Sequence, residues 1–275
     1  MCLMAFALNA DPAQPLLIAS NRDEFFERPT APLHRWFLDD GTEVLGGRDL
    51  RDGGTWLGLS PQGRVAMLTN VRQALQAPAQ RSRGELVTRW LQGDGDVQRF
   101  AAGIEPAAYG AFNLVVGDFH AGAWHWLGNR DPEAPHTPQA SGLHRQTLGA
   151  GIHGLSNASL NTPWPKTQRL KAAVGASLAS ASDWLSPLAH ALTSDQPVPD
   201  AELPCTGVPM DLERSLSSPF VRMADRAYGT RTSQVISVRA AAQGFAVTVH
   251  EWTHDPAAPV PRLAPEHART ETLVW

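Results

Sequence analysis

Cys2-Leu3-Met4-Ala5-Phe6-Ala7-Leu8, followed by Leu16-Leu17-Ile18-Ala19-Ser20-Asn21-Arg22-Asp23-Glu24, is the stretch whose reading decides the fold. Each run is short, largely apolar and bounded by polar turn residues, the pattern of a buried strand. Together they predict a paired hairpin. One end of it carries the chemistry: a thiol on the first strand, an arginine and a carboxylate on the second.

Cys2 becomes the N-terminal residue once Met1 is removed, and cysteine is small enough for that removal. A free α-amine titrates near pH 8 and a free thiol slightly higher, so one residue can carry both nucleophile and base. The alternative is a buried, inert cysteine on an apolar strand. Retention of Met1 displaces the amine from the thiol and removes the self-contained pair.

Working outward, Phe25 to Pro32 reads as irregular chain because its prolines disfavour ladder and helix. Phe25, Phe26 and, further on, Trp56 are candidate pocket-lining residues together with Asn21; packing against the sheet explains the aromatics equally well. Between residues 44 and 70, glycine-rich turns alternate with short apolar runs in a pattern that fits neither a dinucleotide nor a phosphate-loop fingerprint. An antiparallel meander is expected. Asn70 closes its last strand, where its amide N–H can enter an oxyanion site or simply finish a turn.

A capping-box pattern at Ser82 and Glu85 predicts a helix to about Leu91, and a shorter one is expected over residues 97–102. Residues 111–118 and 123–127 form a second hairpin, and 129–147 reads as an exposed excursion. The glycine-rich run ending at Asn157 precedes Pro163-Trp164-Pro165, so Asn157 is a candidate helix cap or turn residue. Helices are expected from Thr167 toward Ser180 and from about Ser182 to Leu192. The final strand pair covers 231–238 and 245–252, and a proline-rich surface tail starts at about 256. Arg231, beside Gly229 at a strand start, can orient a carboxylate or amide, or pair with Asp23.

Composition fits a compact protein with a large core: 275 residues, 43% hydrophobic, and a formal charge of −4. With 23 basic and 27 acidic residues, no general nucleic-acid partner is indicated. No apolar run reaches the length of a transmembrane helix, and no signal peptide is evident. Cys2 and Cys205 make no disulfide framework, so a reducing, cytoplasmic location is the default. His250 and His254 lack a third ligand at metal-site spacing, and no metal is expected.

Asn21-Arg22-Asp23-Glu24, with Cys2, Gly46-Gly47-Arg48-Asp49, Gly53-Gly54-Thr55-Trp56, Thr69-Asn70-Val71-Arg72, Gly154-Leu155-Ser156-Asn157 and Tyr228-Gly229-Thr230-Arg231-Thr232, resembles the NRDE family, to which the transport and Golgi organisation protein 2 proteins belong. The resemblance covers nearly the whole chain. It implies a single α+β domain over 1–275, a four-layer αββα sandwich of the N-terminal nucleophile hydrolase type, distantly similar to bile-salt and penicillin V acylases. It further implies a catalytic set of Cys2, Arg22, Asp23, Asn70, Asn157 and Arg231 acting on an amide or related acyl bond of a small molecule without a cofactor. In that set Arg22 helps to keep the sulfur ionised, Asp23 orients the amine or substrate, and Asn70 and Asn157 hold the oxyanion. Family members are also associated with haem trafficking, which implies a non-catalytic carrier or chaperone for haem or another amphipathic ligand; no haem-attachment motif is present.

Overall fold

β1 (Cys2–Leu8) pairs antiparallel with β2 (Leu16–Phe25), placing Cys2 opposite Arg22 and Leu8 opposite Leu16. The expected hairpin is therefore formed. The structure, a computed structural model, describes residues 2–74, 79–138, 140–180 and 182–275, so the processing of Met1 lies outside the described residues. After the hairpin come β3 (Thr30–Phe37), β4 (Glu43–Asp49), β5 (Leu57–Leu59), β6 (Arg64–Asn70), α1 (Gly84–Gln92), α2 (Val97–Ala102), β7 (Phe112–Asp118), β8 (Ala123–Gly128) and β9 (His144–Thr147). The chain continues with β10 (Gly151–Leu155), α3 (Pro165–Ala179), α4 (Leu185–Leu192), α5 (Met210–Ser215), β11 (Arg222–Met223), β12 (Tyr228–Ala240), β13 (Phe245–Thr253) and β14 (Ala268–Val274). The fold is mixed α/β and divides into two units.

The first unit takes the residues up to Glu27, then Ala150–Ser156 and Asn161–Val274. Its sheet runs β10-β1-β2-β12-β13-β14, with β11 added to β12. Leu3, Ala5 and Ala7 of β1, Leu17 and Ala19 of β2 and Val235 of β12 pack with Leu170 and Val174 of α3 and Leu188 and Leu192 of α4. The alanines leave room for helices close to the strands. Each buried leucine or valine here contributes about 1.5–3 kcal/mol, so this face anchors the strand that carries Cys2.

The second unit takes Arg28–Gly149, Asn157–Leu160 and Trp275. Its sheet is a meander in chain order from β3 to β9. Leu86, Val87, Trp90 and Leu91 make the apolar stripe of α1 and pack with Val44, Ala66, Leu114 and Val116 of the sheet. Trp90 Nε1 donates to the Gly117 carbonyl at 3.1 Å, so the largest side chain of that stripe is also satisfied.

Four sequence expectations are corrected. The chain around Pro32 is strand: β3 lies at the sheet edge, and Pro32 falls where the register shifts between Ala31 and His34, a position that needs no ladder N–H. Ser82 does not cap α1; the helix starts after Arg83 with no side-chain cap, because Glu85 instead accepts from the Tyr109 hydroxyl and pairs with Arg81. Residues 129–147 contain a strand, β9, that extends the second sheet from β8. The tail returns as β14 on β13, carried by the alternation of Ala268-Arg269-Thr270-Glu271-Thr272-Leu273-Val274, with Leu273 buried.

Candidate functional site

Strand register places the residues of the first unit. Cys2 is opposite Arg22, Arg22 opposite Thr232, and Thr232 opposite Thr253. Directly paired residues share a face, so the thiol, the guanidinium and the Thr232 hydroxyl lie in one row across the sheet. The next row on that face carries Ser20, Gln234 and Glu251, all buried, with Gln234 Nε2 donating to Glu251 Oε2 at 2.6 Å. Sequence reasoning passed over Gln234 and Glu251. Their signal was present: each interrupts an apolar strand at the position whose side chain faces the same way as Cys2.

Arg22 is buried, and its Nη2 lies 4.0 Å from Glu24 Oε2 on the same face. The Cys2 carbonyl accepts from Ser156 Oγ at 3.2 Å. Burial pushes the Cys2 thiol above its ordinary range. The chain's amino-terminal charge and Arg22 pull it down, while Asp23 and Glu24 push it up. Arg22 acts in the thiolate's favour, but desolvation by burial outweighs that one neighbouring guanidinium.

Asn21 and Asp23 alternate with Arg22 along β2 and belong to the other face. Asn21 was expected to line a pocket. Instead it is fully buried as a clamp, its Nδ2 donating to the Leu192 and Pro219 carbonyls at 2.8 and 3.0 Å and its Oδ1 accepting from Ser233 Oγ at 2.6 Å. Asp23 Oδ1 accepts from Thr230 Oγ1 at 2.7 Å, and that hydroxyl in turn accepts from the Val221 N–H at 2.8 Å. Because Val221 occupies the hydroxyl's acceptor side, the Thr230 proton is directed onto the carboxylate. Between Thr230 and Thr232 the register against β2 slips by one residue, leaving Arg231 as the bulge; its Nη1 donates to the Phe25 carbonyl at 3.2 Å.

Asn70 and Asn157 belong to the second unit. Asn157 is fully buried, and its Nδ2 donates to the main-chain and side-chain oxygens of Asn70 at 3.0 and 3.2 Å. Its carbonyl accepts from the Arg72 N–H at 2.8 Å. Asn157 caps no helix, since α3 starts after Trp164 with Pro165 in its first turn. Its amide protons are directed at Asn70 and fix that side chain with Oδ1 toward Asn157 and Nδ2 away from it. The two asparagines are thus joined to each other, with Asn157 the donor and Asn70 the acceptor.

Of the aromatics, Phe25 is 49% exposed and stands edge-on to Tyr228, with ring centroids 5.1 Å apart. Trp56, in the second unit, is buried and lies over Gly47, where a Cβ would come within 2.2 Å of its ring. Trp56 is packing.

The model of the family described as Transport and Golgi organisation 2 matches residues 1–256. A bovine Transport and Golgi organization protein 2 homolog is 34% identical over 260 residues, covering 87% of this chain and 89% of that protein. The human homolog is 33% identical over 260 residues with the same coverage, and the Drosophila melanogaster protein is 29% identical over 259 residues, 86% of this chain and 88% of its own. Among solved structures, a Caenorhabditis elegans ortholog of N-acylethanolamine-hydrolyzing acid amidase is similar with a TM-score of 0.48 at 10% identity, covering 86% of this chain and 92% of that one. The mutant C2A conjugated bile acid hydrolase from Clostridium perfringens is similar with a TM-score of 0.47 at 9% identity, covering 96% and 100%.

Proposed function

The chain belongs to the Transport and Golgi organisation 2 family, and from that premise we propose that it is an N-terminal cysteine hydrolase or acyltransferase acting on an amide or related acyl bond of a small molecule, built as one four-layer αββα domain. The observation that carries this reading is the register that sets Cys2 directly opposite Arg22, with the Thr230-held carboxylate of Asp23 next along β2 on its other face. In the proposed reaction Met1 is removed and the Cys2 α-amine takes the thiol proton as sulfur attacks the acyl carbon. Asn70 Nδ2 donates to the oxygen that becomes negative. Collapse breaks the carbon–nitrogen bond, the leaving amine takes the proton from the ammonium, and water or an acceptor amine then cleaves the thioester.

A Cys2 thiol raised by burial favours a second reading, a carrier for haem or another amphipathic ligand in which Cys2 is passive. One experiment separates the two. Tagless protein is checked for Met1 removal by intact mass, then treated with an electrophilic acyl probe and mapped by peptide analysis, beside a haem titration of wild type and Cys2→Ala. Acylation at Cys2 that needs a processed terminus supports the hydrolase. Retained Met1 with no acyl adduct and one-to-one haem binding indifferent to Cys2→Ala replaces it with the carrier.

A further inference from the structure

The segment after β8 opens with two buried residues, Asn129 and Arg130. Asn129 is fully satisfied by the Phe112 N–H and by the carbonyls of Pro106, Tyr109 and Gly110. Arg130 is not. It is 7% exposed, and only Nη1 makes a short bond, to the Asn129 carbonyl at 2.9 Å. Nη2 reaches Gln73 Oε1 and the Pro138 carbonyl at 3.4 Å each. Those contacts exceed the roughly 2.7–3.2 Å of an ordinary N–H···O bond. Nε is buried with no acceptor among the described residues.

Every one of these partners is neutral. The acids nearest in sequence are turned elsewhere: Asp131 Oδ1 accepts from the Glu133 N–H at 3.0 Å, and Glu133 is exposed. A guanidinium stays protonated even where burial lowers its pKa, as it does here, so the second unit holds a desolvated positive charge without a counter-ion among its described residues. Such a charge costs folding free energy unless something else gains from it. Nε–H is the unsatisfied donor, and Nη2–H beside it is held only by the two 3.4 Å contacts; this edge is the one whose parallel donors match the two oxygens of a carboxylate or of a phosphate.

The surroundings join Arg130 to the Asn70–Asn157 pair. Gln73 lies three residues beyond Asn70 in sequence, and the intervening Arg72 bonds the Asn157 carbonyl. His136 Nδ1 donates to the Arg72 carbonyl at 2.8 Å, and Ser159 Oγ donates to the Pro132 carbonyl at 2.7 Å. Gln73 Nε2 also donates to the Thr137 carbonyl. The 131–138 loop is thereby stapled to the chain after Asn70 and to the turn after Asn157. We infer that the Nε/Nη2 edge of Arg130 is an anion-binding site for the carboxylate or phosphate group of a small molecule. Its further identification as the acidic group of the acyl substrate rests on the hydrolase reading; the anion site itself does not.

Calorimetric titration of the full chain tests it, with glutarate and inorganic phosphate as the two anions and glutaramide as the neutral control. One anion binds saturably at one site, and which of the two binds tells carboxylate from phosphate. Arg130→Gln weakens that binding about tenfold or more, and Arg130→Lys retains part of it. If Arg130→Gln fails to fold, Gln73→Glu serves in its place: it keeps the arginine, sets an internal carboxylate oxygen against Nη2 and lowers anion affinity by a similar factor. Wild-type protein that binds the anion but forms no acyl adduct at Cys2 sinks the hydrolase reading alone and leaves the anion site standing. Glutaramide binding as well as glutarate, saturation by neither anion, or undiminished binding in Gln73→Glu overturns the site.

Discussion

Asn157 donates through Nδ2 to both the main-chain and the side-chain oxygen of Asn70, at 3.0 and 3.2 Å, so one buried amide sets the direction of another. If Asn70 is the oxyanion donor, Asn157 acts through it. Acylation of Cys2 is then slowed by either Asn70→Ala or Asn157→Ala, and the double variant is no slower than Asn70→Ala alone. Asn157→Ala also lowers the urea stability by about 1–3 kcal/mol, because the main-chain and side-chain oxygens of Asn70 lose their buried donor. Additive rate effects in the cycle would show that Asn157 touches the reaction directly.

The Cys2 thiol is raised by burial, so in protein that retains Met1 its alkylation rate with iodoacetamide continues to climb at pH values where an unperturbed thiol has levelled off. Exposed Cys205 is alkylated first near neutrality. Arg22→Gln removes a charge that pulls the thiol down and moves the Cys2 profile to still higher pH. The raised value also has a stability consequence. A group whose folded pKa exceeds its unfolded value contributes stability that is complete below the unfolded pKa and lost as pH rises through the folded one. Cys2→Ala therefore flattens the alkaline limb of urea stability above about pH 8.5. An unchanged limb, or a Cys2 profile that levels off earlier than that of a free thiol, refutes the desolvated thiol.

Alternating and continuous apolar runs made most strands legible, including the hairpin that carries Cys2 and Arg22. What failed did so for local reasons. Pro32 signals a break in isolation, and only its place on an edge strand at a bulge lets the ladder continue past it. Ser82 and Glu85 had the right spacing for a cap, but Tyr109 and Arg81, brought in by the fold, took the carboxylate. At the site, the sequence marked Arg22 without its burial and Asn157 without its partner. Gln234, Glu251 and Arg130 escaped because a polar residue inside a strand or at its end looks solvated until register and burial are known.

Glycines in the second unit separate two kinds of requirement. A Cβ on Gly46 would stand 2.5 Å from the Leu57 carbonyl oxygen, where β4 meets β5 and neither backbone can yield. Gly41 has φ of +84° and open space around it. Gly46→Ala should therefore cost more than about 2 kcal/mol of urea stability, and Gly41→Ala only about 1 kcal/mol of backbone strain. Equal costs would mean that close approach does not govern Gly46.

Acid sensitivity should concentrate on His254. Ser233 Oγ lies 2.6 Å from Asn21 Oδ1 and 2.8 Å from His254 Nε2. Since both amide protons of Asn21 are directed to carbonyls, its Oδ1 accepts the Ser233 proton, and Ser233 must accept from His254 Nε2–H. Nε2 thereby carries a proton, and the ring stands edge-on to Phe220 at 4.8 Å. Burial, with a smaller contribution from His267, depresses its pKa to about 4. The unfolded chain binds this proton more readily, so the stability is present above about pH 6.5 and is lost as pH falls toward 4, amounting to about 3 kcal/mol at most. His254→Gln keeps a donor for Ser233 but cannot titrate. Urea midpoints measured from pH 7 to pH 4 should fall less steeply in that variant than in wild type, with the difference confined to this window. Parallel curves would remove His254 as the source of acid lability and leave the buried carboxylates Asp23 and Glu251 to account for it.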